Sequence, residues 1–310
     1  MSLLLAIDDA KERPQIVEVG EQGEYLLVLY KPQQVASSVN SIVYRARLVR
    51  AEEPEEPGIP VVVKVPFENT RYGRSCLERE IEAGKHYADH PSIVRVYGGK
   101  ISKRESYVIT EEAKATLKLF LRKGGLLPTR QTIEEFTLSL LDALETVHTD
   151  NYLERGPHLH RDVKPDNIFL YRCESGFRFH TKLGDFGMWG SQKEAEEQWE
   201  RFTIAGTPNY ATPDIGETPP SPSSDLYALG LVIYQIVAKT EILPEYPQRM
   251  QERDLEPLQK DPLHPILVKA LAQRESQRYH STGEMRRDIL QAQSMLKSRN
   301  AVYRQQVPLA

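Results

Sequence analysis

The sequence predicts an α+β fold in which a sheet-rich region comes first and a mainly helical region follows. From Tyr25 to Val65, runs rich in β-branched and aromatic residues alternate with polar or proline-containing stretches, as in successive antiparallel strands. After Ala113, apolar residues recur at helical spacing, most clearly in 132–148 and 225–239. We therefore expect an N-terminal antiparallel β lobe and a C-terminal, mainly α-helical lobe.

Each element of the first lobe follows from a local pattern. The predicted strands are YLLVLY, SIVYRARLV and PVVVKV, and the acidic, proline-containing linker 51–60 predicts an exposed loop. Residues 75–89 have a helical pattern, which gives this lobe one main helix, and 93–113 return to strand character. The N-terminal extension, the β lobe, the helical lobe and the C-terminal tail are predicted at 1–24, 25–112, 113–296 and 297–310.

Composition argues against several classes of function. The 310 residues carry a net charge of -4, which provides no broad basic field for nucleic acid. The only cysteines are Cys76 and Cys173, which argues against a disulfide framework and suits a reducing compartment. The first ten residues resemble neither a signal peptide nor an anchor, and no run of about 18 apolar residues occurs. We expect a cytoplasmic protein with no membrane span and no nucleic-acid partner.

The stretch HRDVKPDN, residues 160–167, has the clearest chemical pattern. Phosphoryl transfer needs a carboxylate that orients the attacking hydroxyl and accepts its proton, a nearby cation, and an oxygen ligand for Mg²⁺. Asp162, Lys164 and Asn167 can supply these groups in turn. The stretch resembles the catalytic loop of the eukaryotic-type Ser/Thr protein kinases, H-R-D-x-x-x-x-N, at all four fixed positions. The resemblance implies a bilobal protein kinase fold.

A second motif, Asp185-Phe186-Gly187, follows 18 residues after Asn167. It is similar to the other metal motif of the same family, in which the Asp chelates Mg²⁺ between the phosphates. A turn alone would also favour Asp and Gly, but the distance from the catalytic loop supports the metal interpretation. The implied cofactors are ATP and Mg²⁺, and the implied metal ligands are Asn167 and Asp185.

Lys64, at the end of the strand VVVK, could hold the α and β phosphates if a helix carboxylate positioned it. The resemblance favours Glu80 as that carboxylate, with Glu78 and Glu82 as rivals. Taken alone, Lys64 would instead be a strand lysine with its charged end in solvent. Gly84 falls where the family usually has a large apolar residue, and it puts the helix register, and hence Glu80, in question.

The resemblance also implies a nucleotide pocket. Val43, Val62 and Phe169 would sandwich the adenine ring. The backbone groups of Glu111 and Ala113 would face the base, and Thr110 would be the small residue at the back of the pocket. The strand valines and Phe169 would also fit an ordinary core. The family's phosphate-covering loop has three glycines, whereas this chain has Ala36, Ser38 and Ser41 in their places. Since glycine allows close backbone approach to phosphate, we expect a weaker grip on ATP, with serine hydroxyls as substitute donors.

The stretch GTPNYATPD, residues 206–214, resembles the family's activation-segment ending. Thr207, together with Lys164, suggests Ser/Thr rather than Tyr specificity. Thr203 stands where related kinases carry an activating phosphate, which Arg161 could receive. Thr203, Arg161 and Thr207 are therefore the predicted regulatory residues.

Three further features accompany these motifs. Asp214 replaces the family's usual Glu, and its implied partner is Arg278, so we expect a strained or rearranged pair. Asp225 could brace the catalytic loop or could simply cap a helix. The turn 149–159 before the catalytic loop is several residues longer than usual, and could be a docking insert or have no function.

Three functions remain open after these observations. The first is a Ser/Thr protein kinase that uses Mg-ATP to phosphorylate a protein substrate. The second is a pseudokinase or nucleotide-binding scaffold with weak or no turnover, because the phosphate loop lacks its glycines. The third, a kinase of small molecules or lipids, is disfavoured because residues 206–214 resemble a peptide-docking segment.

Overall fold

The fold is given by a computed structural model, which describes residues 15–19, 25–29, 34–37, 41–53, 56–124, 130–172, 179–198, 206–244 and 249–306. The chain divides into two compact units. Unit 1 comprises Met1–Ala113 with Asp185–Trp189, and unit 2 comprises Lys114–Gly184 with Gly190–Ala310. The short segment Asp185–Trp189 therefore belongs with the first part of the chain, although it lies within the second part in sequence.

Unit 1 is built on a seven-stranded antiparallel sheet with the order β1-β2-β4-β5-β7-β6, in which β3 also pairs with β4. The strands predicted from YLLVLY, SIVYRARLV and PVVVKV are confirmed as β2, β4 and β5. Strand β1 lies within the predicted N-terminal extension. The strands are β1 Gln15–Val19, β2 Tyr25–Leu29, β3 Gln34–Ser37, β4 Ser41–Arg50, β5 Ile59–Pro66, β6 Val96–Ile101 and β7 Ser106–Glu111.

The alternation of β5 decides which side chains enter the core of unit 1. Val61, Val63 and Val65 are buried, whereas Val62 and Lys64 between them are half-buried. Successive strand residues point to opposite faces of a sheet, so Val62 and Lys64 share the face opposite the valine core. This register keeps the Lys64 ammonium out of the apolar layer.

Among the described residues of unit 1 there is one long helix, α1, which runs from Arg71 to His86. It starts four residues before the predicted segment because the Thr70 side chain accepts a hydrogen bond from Gly73 N and caps the first turn. Its last turn carries Lys85 and His86, which suit the negative end of the helix dipole.

Unit 2 is mainly helical in its described residues. Its core contains the middle of the helix Arg130–Thr149 and nearly all of the helix Pro222–Ala238. Residues Leu226–Ile233 of the latter are all buried. Both apolar segments predicted as helices, 132–148 and 225–239, are confirmed. The helices are α2 Leu117–Arg122, α3 Arg130–Thr149, α4 Gln192–Gln198, α5 Pro222–Ala238, α6 Glu252–Leu255, α7 His264–Ala270 and α8 Thr282–Gln306.

Short strands complete unit 2 and support its loops. Strands β8, β10 and β11 form a three-stranded sheet, and β9 pairs with β12. None of the helices in the described ranges has the length and apolar character needed to cross a bilayer. The strands are β8 Ala115–Thr116, β9 His158–Leu159, β10 Ile168–Arg172, β11 Phe179–Leu183 and β12 Gly190–Ser191.

Candidate active site

In unit 1, Lys64, Glu80 and Asp185 form one charged group. Lys64 Nζ lies 2.8 Å from Glu80 Oε2 and 2.7 Å from Asp185 Oδ1. Burial would lower the pKa of Lys64, but the charges of Asp185 and Glu80 outweigh it and hold the pKa above its ordinary value. The lysine is therefore a fixed cation with two carboxylate partners, and not a lysine whose charged end lies in solvent.

The structure distinguishes Glu80 from its two rivals on the helix. Glu80 is 5 % exposed and bonded to Lys64, whereas Glu78 is exposed and Glu82 is half-buried. A helix has 3.6 residues per turn, so residues two positions apart point about 200° around the axis from each other. Since Glu80 faces Lys64, Glu78 and Glu82 point away from it, toward the opposite side of the helix.

Gly84 fits this register because a neighbouring strand fills its space. A Cβ built on Gly84 would lie 2.2 Å from Val96 Cγ2 and 2.3 Å from Val96 Cβ. No larger residue fits while Val96 stays in place, since real Cβ atoms do not approach other atoms so closely. The departure from the family pattern is thus matched by Val96 on β6, and the Lys64–Glu80 pair still forms.

One face of α1 also holds the segment that carries Asp185. Arg79 donates to Gly187 O at 3.4 Å, and Tyr72 Oη lies 3.4 Å from Met188 Sδ. Tyr87, directly after the helix, packs on two aromatic rings of the segment, at 5.9 Å from Phe186 and 6.1 Å from Trp189 between ring centroids. These contacts explain why Asp185–Trp189 belongs to unit 1.

The predicted nucleotide-pocket residues of unit 1 lie on neighbouring strands or, for Ala113, shortly after one. Val43 is the register partner of Lys64, and Val62 is the partner of Thr110. Thr110 is buried, whereas Val43, Val62, Glu111 and Ala113 are half-buried. The Glu111 carboxylate accepts a hydrogen bond from the Arg95 amide at 2.7 Å, so this side chain is engaged within the sheet.

The predicted phosphate loop lies partly outside the described residues. Ala36 pairs with Val43 in the β3–β4 ladder, and Ser41 is buried opposite Pro66. Ser38 lies outside the described ranges. Strand pairing therefore extends to both ends of the segment where the family has glycines.

In unit 2, the catalytic-loop side chains meet around Asp162. Lys164 Nζ lies 2.7 Å from Asp162 Oδ2, and Asn167 Nδ2 donates to the same oxygen at 2.9 Å. Thr207 Oγ1 donates to Asp162 Oδ1 at 2.8 Å and accepts from Lys164 Nζ at 2.7 Å. The Asp162 carboxylate is thus held by three donors from two segments of the chain. The predicted catalytic residues and Thr207 form one connected network.

Asp225 braces the backbone of the catalytic loop. Its carboxylate accepts from the His160 amide at 2.9 Å and from the Arg161 amide at 2.8 Å. The alternative role, a helix cap, belongs to Ser221, whose side chain and that of Ser224 form a capping box at the start of α5. Of the two interpretations that the sequence left open, the structure supports the brace.

His148 on α3 is part of this brace, although the sequence did not suggest it. Its Nε2 lies 2.9 Å from Asp225 Oδ2, and both side chains are buried. Burial alone would raise the pKa of Asp225, but the hydrogen bond and charge of His148, with further help from His160, hold that pKa below its ordinary value. A buried histidine in a helical segment has no sequence signature of such a role, because its partner is 77 residues away.

Arg161 connects the catalytic loop to the activation segment. It has a left-handed backbone with φ 65°, and its Nη2 donates to Ser191 O at 2.5 Å. Gly206 has φ 95°, and a Cβ there would lie 2.4 Å from Arg161 O, so the first residue of GTPNYATPD must be glycine. Thr203, the predicted phosphorylation position, lies outside the described residues.

The pair between Asp214 and Arg278 forms in a rearranged way. Arg278 Nη1 reaches Asp214 Oδ1 at 3.1 Å, while its other nitrogens donate to Ala272 O and Gln273 O at 2.7 Å. The guanidinium also lies 5.0 Å from the ring centre of Tyr227. The shorter Asp therefore receives a single contact, and backbone carbonyls take the rest of the guanidinium.

Phe169, the last predicted adenine-contacting residue, lies in β10 of unit 2. It pairs with Thr116 in β8 and with Lys182 in β11, and it is half-buried. The loop carboxylate Asp166 lies 2.8 Å from Lys118 Nζ on α2. A strand and a short helix thus flank the catalytic loop and position its second half.

Comparison with known proteins gives a consistent result. The family described as protein kinase domain matches residues 53–299. Among curated proteins, the chain is 27% identical over 223 residues to the Ser/Thr-protein kinase PknB of Mycobacterium leprae, and 30% identical over 183 residues to the Aurora kinase of Dictyostelium discoideum. The PknB match covers 66% of this chain and 34% of that protein, and the Aurora match covers 57% and 43%. The chain thus spans less than half the length of these relatives.

A solved structure with a similar fold is the kinase domain of Mycobacterium tuberculosis PknI. It matches with a TM-score of 0.59 and 22% sequence identity, and the match covers 83% of this chain and 93% of that one. This similarity supports the arrangement of strands and helices. The family match begins at residue 53, after the region where the glycines are missing.

Proposed function

Because this chain belongs to the protein kinase domain family, we propose that it transfers the γ-phosphoryl group of Mg-ATP to Ser or Thr hydroxyls of a protein substrate. The observation that carries this proposal is the network around Asp162. A carboxylate held by Lys164, Asn167 and Thr207 has the fixed orientation that a hydroxyl-positioning base requires.

In the proposed mechanism, Asp162 receives the acceptor hydroxyl. The oxygen of that hydroxyl attacks the γ-phosphorus, its proton passes to the Asp162 carboxylate, and the bond between the γ-phosphorus and the bridging oxygen breaks to leave ADP. Lys164 stabilises the negative charge of the transferring group from a position already beside Asp162. Lys64, held by Glu80, positions the α and β phosphates.

Asn167 and Asp185 are the proposed Mg²⁺ ligands. Carboxylate and amide oxygens are the ligands that Mg²⁺ prefers, so this donor set fits the ion. The Asn167 amide nitrogen donates to Asp162, which leaves the amide oxygen available for the ion. Bound Mg²⁺ would neutralise charge on the phosphates.

The proposed nucleotide site includes Val43, Val62, Thr110, Glu111, Ala113 and Phe169, with Ala36, Ser38 and Ser41 in place of the phosphate-loop glycines. The weaker binding of ATP that these replacements imply would appear as a high KM for ATP, and not as a loss of the chemical step.

We also propose a cytoplasmic location, because the sequence has only two cysteines and this suits a reducing compartment.

Thr203 is the proposed activating phosphorylation site, with Arg161 as the cation that receives the phosphate. Its position three residues before Gly206 motivates this assignment. Mass spectrometry of the active protein is expected to find phosphate on Thr203, and Thr203→Ala is expected to be less active. Active protein with an unmodified Thr203, and full activity in the variant, would remove this part of the proposal.

The central experiment is phosphoryl transfer from labelled Mg-ATP to a generic basic protein. The parent chain is expected to label the protein, and both Asp162→Ala and Asp185→Ala are expected to lose transfer. Asp89→Ala is a matched control because Asp89 is exposed and lies outside both groups. Nucleotide binding by the parent without any transfer would favour the pseudokinase alternative.

A further inference from the structure

The long turn before the catalytic loop has a defined structure. Residues 151–157, here named the anchor loop, contain two adjacent left-handed residues that are not glycine, Leu153 with φ 54° and Glu154 with φ 57°. The Asn151 side chain accepts a hydrogen bond from Gly156 N at 2.9 Å and closes the loop. Left-handed residues of this kind persist only where surrounding contacts hold them, so the loop has one defined backbone conformation.

The anchor loop contacts residues 190–194, which form β12 and the first turn of α4 and are named here the start of the activation segment. Pro157 O accepts a hydrogen bond from Gln192 N at 2.8 Å, directly beside the pairing of β9 with β12. Arg155 Nη1 lies 2.5 Å from Glu194 Oε1 on α4. One backbone hydrogen bond and one ion pair therefore connect the loop to Gln192 and Glu194, both in the first turn of α4.

The first turn of α4 and the preceding Ser191 hold Arg161. Glu194 N donates to Ser191 Oγ at 3.1 Å, and Ser191 O accepts from Arg161 Nη2 at 2.5 Å. A Cβ on Gly190 would lie 3.2 Å from both an Arg161 nitrogen and a Glu194 oxygen, so these opposite charges border the same residue. Direct contacts thus lead from Arg155, through Glu194 and Ser191, to the residue before Asp162.

We propose that Arg155 and Glu194 are positioning residues, which fix the start of the activation segment and so hold Arg161 beside the catalytic carboxylate. In this arrangement the Glu194 carboxylate gives the segment a built-in negative charge facing Arg155 and Arg161. The consequence is that part of the active arrangement forms without modification of the chain. This inference rests on the proposed kinase function for its effect on rate, but not for its effect on structure.

The expected size of the effect is modest. The two side chains of the ion pair are 52 % and 37 % exposed, and exposed ion pairs contribute little. Loss of such a pair changes an equilibrium by about two- to five-fold. High salt is expected to reduce the effect further, because exposed charges are screened.

The experiment uses the full chain with Arg155→Ala, with Glu194→Gln, and with both changes together. Hydrogen exchange of the Gln192 and Glu194 amides is expected to be about two- to five-fold faster in each single variant. The double variant is expected to exchange no faster than Glu194→Gln alone, because Arg155 acts through Glu194. The kcat for phosphoryl transfer is expected to fall by a similar factor while the KM for ATP stays unchanged.

Glu197→Gln is the matched control, since Glu197 is an exposed carboxylate on the same helix. The proposal is overturned if the single variants exchange like this control, if the effects of the two changes add in full in the double variant, or if exchange changes and kcat does not. A parent without transfer activity would instead contradict the proposed function, and the exchange rates would still decide whether the anchor loop holds the segment.

Discussion

Gly84 and Val96 share a single packing position. The methyl groups of Val96 occupy the space that a side chain on Gly84 would need, so a larger residue at position 84 requires a smaller one at position 96. Glu80 lies one turn before Gly84 on α1, and Lys64 pairs with it. A change in this small contact therefore acts on the residue proposed to position ATP.

Gly84→Ala is expected to destabilise the protein by about 1–3 kcal/mol, because the added methyl group forces Val96 or the helix to move. Adding Val96→Ala to this variant is expected to recover part of the loss. Chemical denaturation measures both effects. Gly283→Ala is the control, since a Cβ on Gly283 meets nothing within 4 Å. A Gly84→Ala protein as stable as this control would show that the space is not filled by Val96.

At the scale of elements, the start of α5 has two separate tasks. Ser221 and Ser224 satisfy the first amides of the helix, which leaves the Asp225 carboxylate available for the catalytic loop. His148 adds a contact from α3, so one carboxylate connects two helices to the loop that carries Asp162. The two helices therefore fix the backbone of His160 and Arg161, the two residues before the proposed base.

Asp225→Asn is expected to destabilise the protein by about 1.5–3 kcal/mol near neutral pH, since the buried donors lose a charged acceptor. The folded state lowers the pKa of Asp225, so its stabilising contribution is present above the ordinary carboxylate pKa and is lost as the pH falls through the lowered value. The parent and the variant should thus converge in acid. Denaturation midpoints measured at several pH values check this, with Asp89→Asn as the control.

A stability difference that stayed constant into acid would contradict the assigned charge of Asp225. So would an Asp89→Asn protein that loses as much stability as Asp225→Asn near neutral pH, because Asp89 is exposed.

The helices and motifs could be predicted because their signals are local. Residues 160–167 and 185–187 carry their pattern within a few positions, and the apolar period of α3 and α5 is visible in the sequence. The partners could not be predicted in the same way. His148, Val96 and Glu194 act on residues 12 to 77 positions away, and a single sequence has no signal for such contacts.

At the scale of the whole molecule, ligand binding should increase the free energy of unfolding. A ligand that binds only the folded state raises the unfolding free energy by about 2.7 kcal/mol at 100 times its Kd. Mg-ADP is therefore expected to raise the Tm of the chain, and a chelator is expected to remove the metal-dependent part. Thermal unfolding with and without the chelator measures both contributions.

Asp185→Asn separates metal binding from nucleotide binding. It is expected to reduce the magnesium-dependent rise in Tm and to leave the metal-free rise largely in place, because one proposed oxygen ligand loses its charge. If Mg-ADP shifts neither protein, the proposed nucleotide site is wrong. If the two proteins respond equally to magnesium, Asp185 is not a ligand of the ion.

The segment Asp185–Trp189 belongs to unit 1 although the chain on both sides of it belongs to unit 2. The polypeptide therefore crosses from one unit to the other three times, after Ala113, Gly184 and Trp189. A fragment ending at Ala113 would lack five residues of its own unit, among them one of the two carboxylates that contact Lys64. Expressing the first unit by itself thus requires a redesigned connection that returns these five residues, and simple truncation cannot reproduce its charged group.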